Sequence, residues 1–271
     1  MPASPVEAKR EGARKRASGR ETTTSVERAL SILEAVAEVE QGLTHAELSR
    51  TLGIPKSTAT YLLRTLEGRG YLRKNADSGR FQVGVKILGL GQHALAGREL
   101  PRIAQPHLRR LAEETQLTVH LAILDHDRPV YVARADLPGF VKINTWVGRE
   151  LPLHSTAVGK VLVAGLDEER RERLLEGASF APRTGKTITD PARFRDEIAA
   201  VLRRGWAIDD EENNLGVRCV AVPVFDARGA VDAALGASGT TSLFPRERIA
   251  ETARRVQATS REISSQLGFE L

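Results

Sequence analysis

Between Leu43 and Tyr71 apolar residues recur every three to four positions in two runs separated by Gly53–Ile54–Pro55. Leu43, Ala46, Leu48 and Leu52 mark the first run; Ala59, Leu62, Leu63 and Leu66 mark the second. This spacing predicts two helices joined by a tight turn. Thr44 followed three residues later by Glu47 has the form of a capping box, and Gly53 can close that helix at positive φ. Ile54 then packs back into the core, and Pro55 opens the next helix, where a missing N–H costs nothing. Upstream, Ser25 opens a supporting helix with Val26, Ala29, Leu30, Ile32, Leu33, Val36 and Ala37 on its apolar face. Downstream, YLRKNADSGRFQVG alternates around a polar turn at Asn75–Gly79, which predicts a two-stranded wing. Residues 23–84 therefore read as a winged helix-turn-helix.

A helical pattern returns from Val85 to Thr115, with breaks expected near Pro101 and Pro106. Its first part, residues 85–100, is a linker helix. The stripe Leu88, Leu90, Ala94 and Leu95 is more than a small winged unit can cover, so pairing with a second copy is expected, the simpler alternative being packing within one chain. Residues 101–271 form the larger domain. TVHLAILD and PVYVARAD predict two strands around the turn Asp125–Arg128, and GFVKINTW a third. AVGKVLVAGL is helical after a Pro-containing loop, a charged helix follows at Asp167–Glu176, and Asp190–Pro191 opens a helix reaching Arg204. Strands at Trp206–Asp209, Arg218–Phe225 and Val231–Ser238 precede a terminal helix that opens at Pro245 and turns Ile249, Ala253, Val256 and Ile263 inward. Strands flanked by helices and joined mostly by short turns give an α+β class with one antiparallel sheet.

Charge sharpens this division. The net charge is +5, and residues 1–90 hold 15 Lys and Arg against 10 Asp and Glu, while the remainder is balanced at 25 against 25. An excess confined to the winged part points to a polyanion, namely double-stranded DNA. The second helix presents Lys56, Ser57, Thr58, Thr60, Tyr61 and Arg64, and the wing adds Arg73, Lys74 and Arg80; with Thr44 these are the candidate DNA contacts. Residues 1–22 read as a disordered basic tail that adds salt-sensitive phosphate attraction. One cysteine, Cys219, permits no intramolecular disulfide. No run of 18 apolar residues and no apolar leader occur, so a cytoplasmic protein without a membrane partner is expected.

The segments SVERALSILEAV and LTHAELSRTLGIPKSTATYLLRTLEGRGYL resemble the DNA-binding half of the isocitrate lyase regulator (IclR) family of bacterial transcription factors. LPLHSTAVGKVLVA and GWAIDDEENNLGVRCVAVPVFDARGAV resemble that family's two effector-domain signatures, and the likeness runs from about Thr22 to Gly268. The resemblance implies a repressor or activator, with a repressor preferred, that binds a palindromic operator as a homodimer or homotetramer. It also implies a GAF-like C-terminal domain that senses a small organic acid or a related catabolite. Carried over residue by residue, Ala157, Val158 and Gly159 correspond to the backbone segment that receives a carboxylate, Asp209 to the pocket acid and Cys219 to the pocket cysteine. Where the family often has two hydroxyl residues on the last strand, this chain has Gly236 and Ser238, one hydroxyl fewer. The residues support this reading independently, because STAVGK starts a helix whose free N–H groups attract anions. Val141, Ile143, Trp146 and Leu153 would form the apolar wall.

An alternative class is a small-molecule-binding or hydrolytic protein using Cys219 with His154, its winged unit serving protein contacts. The sequence supplies no base beside Cys219 and no acidified thiolate for it. His120, His126, His154 and Asp209 lack metal-ligand spacing, and no glycine-rich phosphate loop occurs, so neither a metal nor a cofactor is expected.

Overall fold

The computed structural model describes residues 24–95, 99–136 and 145–270, apart from the side chains of residues 92, 94 and 95. The basic tail, most of the GFVKINTW segment, and the proposed wall residues Val141 and Ile143 lie outside the described residues. The chain divides into two compact units, one ending at Ala94 and the other beginning at Leu95.

The N-terminal unit contains α1 (Thr24–Ala37), α2 (His45–Thr51), α3 (Lys56–Gly68), β1 (Leu72–Lys74), β2 (Phe81–Val83) and α4 (Lys86–Leu95). The capping box forms as the spacing required: Thr44 Oγ1 accepts from Glu47 N at 3.2 Å, and Thr44 N donates to the Glu47 carboxylate at 2.8 Å. Gly53 takes φ +62°, releasing Ile54 into a core of Ile32, Val36, Leu48, Leu63 and Phe81. β1 and β2 pair antiparallel with Leu72 opposite Val83, and Leu43 adds a bridge to Phe81. The wing turn is closed by Asn75, whose side-chain carbonyl accepts from Asp77 N and Ser78 N, while Gly79 takes φ +66°.

In the second unit, α5 (Glu99–Thr115) precedes β3 (Thr118–Asp125) and β4 (Arg128–Ala135). The expected breaks at the two prolines do not occur. Pro101 lies in the first turn of α5, where its missing donor is not needed, and Pro106 sits inside the helix. That interior proline removes only the bond to Arg102 O. The buried row Leu100, Ala104, Leu108, Leu111 and Ala112 holds the helix against the sheet in spite of it. His126 and Asp127 carry positive φ in the β3–β4 turn. There follow α6 (Ala157–Ala164), α7 (Glu168–Glu176), α8 (Pro191–Arg204), β5 (Ala207–Asp210), β6 (Val217–Phe225), β7 (Val231–Thr240), a 3-10 turn (Arg246–Arg248) and α9 (Ile249–Gln266). Thr145 and Trp146, the described end of the segment expected as a third strand, are not in a strand.

The described strands of this unit form one antiparallel sheet in the order β4-β3-β7-β6-β5. One face is covered by α5 and α9, with Leu108, Leu111, Val256 and Ile263 packed on Leu121, Val222 and Leu235. The other face receives α6, backed by α7 and α8. Every residue of α6 is buried, as expected of a helix that is apolar nearly all round and wedged between a sheet and a second helix. Among the described residues, no helix is long and apolar enough to cross a membrane.

Candidate functional site

The exposed face of α3 carries most of the residues that the charge pattern singled out. Lys56, Ser57, Thr60, Tyr61 and Arg64 are exposed, Tyr61 at 72%, and Thr58 is half-buried. Arg73 and Lys74 are exposed on β1, with Lys74 Nζ 5.6 Å from the centre of the Phe81 ring. Two members of the set have other partners. Thr44 Oγ1 donates to the Glu47 carboxylate at 2.9 Å within the cap. Arg80 donates to Gly42 O at 2.8 Å and to both Glu47 oxygens at 3.1 and 3.3 Å, tying the wing to the start of α2. The same Glu47 is held below the ordinary carboxyl range first by the Thr44 N–H. Sequence reasoning missed His45, whose Nε2 lies 3.1 Å from Lys56 O and 2.9 Å from Thr60 Oγ1 and so joins the starts of α2 and α3.

The C-terminal unit contains a cavity of about 50 Å³ where the N-terminus of α6 meets β4, β5, β6 and β7. Of the expected residues, Ala157, Val158, Asp209, Cys219 and Ser238 line it; Tyr131, Thr145, Arg149, Leu151, Thr156, Asn213, Asn214 and Val217 complete it. Thr156 is the N-cap of α6, its Oγ1 accepting from Gly159 N at 3.1 Å and donating to Pro152 O at 2.6 Å. The N–H groups of Ala157 and Val158 precede the first intrahelical donor, Lys160 N, and are the ones left for an anion. Arg149 stands with its guanidinium 4.7 Å from the centre of the Trp146 ring.

Four expected residues serve other purposes. Trp146 is outside the lining and supports Arg149. Leu153 and Gly159 meet each other: a Cβ on Gly159 would stand 2.4 Å from Leu153 O, so this glycine permits close packing and leaves the lining to its neighbours. Gly236 faces the ring of His120, whose Nε2 would be 2.5 Å from a Cβ there. No sequence motif marks Arg149, Tyr131 or His120; each depends on strand pairing that brings distant segments together.

Asp209 is buried, with its Oδ1 accepting from Glu212 N at 2.7 Å and Asn213 N at 3.1 Å. Desolvation outweighs those bonds and pushes its carboxyl up to about 7. Glu212 is anchored from below by Lys160 of α6, which is 0% exposed. Lys160 Nζ donates to Glu212 Oε1 at 2.6 Å and to Ile208 O at 2.8 Å. Thr187 Oγ1 donates to Glu212 O, and Ser155 Oγ to Asn213 Oδ1, so the loop after Asp209 is held at several points.

Cys219 Sγ lies 3.6 Å from His120 Nε2, but this is not an activated pair. Burial pushes the Cys219 thiol up, and burial followed by the Arg134 charge lowers His120 to about 3. A nucleophile needs the opposite shifts. His154, the partner weighed from the sequence, instead places Nε2 3.0 Å from Ala181 O. Among the described residues, no group of three or more His, Cys, Asp or Glu side chains is placed to hold a metal ion.

Comparison with known proteins adds an independent line. Residues 25–76 match the model of the IclR helix-turn-helix domain, and residues 92–265 match that of the bacterial transcriptional regulator IclR C-terminal domain. The HTH-type transcriptional regulator KdgR of Escherichia coli is 35% identical over 249 residues, covering 92% of this chain and 94% of KdgR. The transcriptional repressor IclR of the same organism is 31% identical, covering 90% of each chain. An IclR homologue from Microbacterium hydrocarbonoxydans, solved in complex with 4-hydroxybenzoate, shares the fold. Its TM-score is 0.73 at 24% identity, covering 90% of this chain and 99% of that one. With both halves matched in order, and a helix-turn-helix followed by a sheet-based domain built around a cavity, the chain belongs to the IclR family of DNA-binding bacterial transcriptional regulators.

Proposed function

We propose that the chain is an effector-responsive repressor whose C-terminal cavity binds a small organic acid carrying a hydrogen-bond donor. The observation that supports this best is the lining itself. It combines the Arg149 cation and the N–H groups of Ala157 and Val158, which suit a carboxylate, with the buried Asp209, which suits a hydroxyl or amine. Ser238 and Asn213 offer further polar contacts. The name of the E. coli relative as a repressor favours that sign of regulation.

On the DNA side, α3 enters the major groove with Lys56, Ser57, Thr58, Thr60, Tyr61 and Arg64 towards base edges and phosphates, while Arg73 and Lys74 follow the backbone from the wing. Thr44 and Arg80 position these elements without themselves contacting DNA. Two copies occupy the halves of a palindromic operator. The exposed apolar residues Leu88, at 66%, and Leu90 on α4 supply the contact between copies. Effector occupancy biases the spacing of the two winged units; a coupling of about 1–3 kcal/mol would alter operator affinity roughly 5- to 150-fold.

The test is thermal unfolding of the full chain against a panel of 2-hydroxy acids, 2-keto acids and 4-hydroxybenzoate. A binder present at a hundredfold excess over its Kd stabilises by about 2.7 kcal/mol. Stabilisation that is lost in Arg149→Ala supports the reading. A panel that leaves unfolding unmoved while operator binding persists refutes the acid-sensing half.

A further inference from the structure

His120 lies on β3, opposite Gly236 of β7 and Arg134 of β4, and is 1% exposed. Its ring stands behind three residues that line the cavity. It meets Tyr131 edge-on with ring centres 4.7 Å apart, and it places Nε2 3.6 Å from Cys219 Sγ. Val158 completes the enclosure, because a Cβ built on Gly236 would be 3.1 Å from both His120 Cδ2 and Val158 Cγ1. The same Cβ would be 2.5 Å from His120 Nε2, a separation that real Cβ atoms do not adopt. The imidazole therefore occupies the volume that a side chain at position 236 would fill. No ordinary packing need explains a histidine in this place. Its Nδ1 is buried with no hydrogen-bond partner among the described residues, which is a cost to folding. The ring is uncharged there, since burial lowers it to about 3.

We propose that His120 is the specificity-determining residue of the effector cavity: its ring, admitted by Gly236, fills the space behind the lining residues Tyr131, Cys219 and Val158 and so sets the length of acid the cavity accepts. This rests on the reading of the cavity as the effector site. Removing the ring opens the cavity towards β3 behind Tyr131, Cys219 and Val158, and a side chain restored at position 236 closes it again. The two positions act as a reciprocal pair, and each substitution has its full effect only while the other residue is intact.

The experiment measures, on the full-length protein, Kd for straight-chain 2-hydroxy acids of two to six carbons, using calorimetry. His120→Ala is expected to improve the ratio of long-chain to short-chain affinity at least tenfold. Gly236→Ser alone should lower the thermal midpoint, because its side chain collides with the ring. His120→Ala combined with Gly236→Ser should regain that midpoint and return the chain-length ratio to that of the unsubstituted protein. A structural role alone would move the midpoint without moving the ratio. Acids that bind with an unchanged ratio in His120→Ala overturn the proposal and leave the effector site standing. Failure of every acid to bind either protein overturns both. Should His120→Ala fail to fold, His120→Asn, which shortens the ring while keeping a polar tip, must show the same direction of change. A double variant no more stable than Gly236→Ser alone would refute the reciprocal packing whatever the ligand.

Discussion

Asp209 makes the C-terminal unit less stable than its packing allows, and the deficit depends on pH. Its carboxyl moves from an ordinary 3.8 to about 7, mainly through desolvation. The folded chain thus keeps a proton that the unfolded chain releases near pH 4. The stability that this proton carries is complete below pH 4 and is lost as pH rises through about 7. A displacement of about three units at 1.36 kcal/mol each corresponds to about 4 kcal/mol by pH 8, and relaxation around the ionised group reduces this to about 2–4 kcal/mol. Asp209→Asn retains an oxygen for the N–H groups of Glu212 and Asn213 but cannot ionise. The variant should match the unsubstituted protein near pH 4 and exceed it by about 2–4 kcal/mol at pH 8, with a thermal midpoint roughly 5–15 °C higher. Glu212, also raised by burial, is present in both proteins, and its charge is a lesser cause of the Asp209 shift than desolvation. Urea unfolding followed through Trp146 and Trp206, the chain's two tryptophans, reads the C-terminal unit alone. A variant that is equal or weaker at pH 8 would refute the reasoning, because it would show an ionised carboxylate fully compensated by its two N–H donors. The variant should also respond less to any bound acid, the exchange of stability for function expected at a binding site.

The buried Lys160–Glu212 pair makes a second test. Lys160→Met strands the Glu212 carboxyl and should cost about 3–5 kcal/mol in urea unfolding, with recovery in the Lys160→Met, Glu212→Leu double variant. Gly159→Ala drives a methyl against Leu153 O and should prevent the C-terminal unit from reaching its native thermal midpoint; a loss under about 1 kcal/mol would show that the loop yields. On the DNA side, Tyr61→Ala or Arg64→Ala should weaken operator binding in a gel-shift titration with unfolding unchanged, since both side chains are exposed. Arg80→Ala should instead lower the thermal midpoint of the winged unit only slightly, as expected of a solvent-screened ion pair.

The winged unit was legible because its determinants are local: Thr44 caps with Glu47 three residues away, Gly53 turns the chain, and Asn75 and Gly79 shape the wing. The sheet of the larger unit was legible through its alternation and its turns. The α5 prolines misled because the preference of Pro106 to break a helix is a local effect that a buried apolar row overrides. In the cavity, Ala157, Val158, Asp209, Cys219 and Ser238 lie within recognisable motifs, whereas Arg149 and Tyr131 enter from a strand and loop without one. Nothing local in the sequence marks the role of Lys160, since its partner Glu212 is 52 positions away. Gly236 suggested a missing hydroxyl until the register placed His120 opposite it.

Cys219 has a further consequence. It is the only thiol in the chain, and it sits 6% exposed in the cavity lining. A thiol reagent can reach it only when the surrounding residues part, so its labelling rate under native conditions counts the openings of the cavity. The residue offers a built-in clock, which an occupying molecule would slow and which requires no introduced probe.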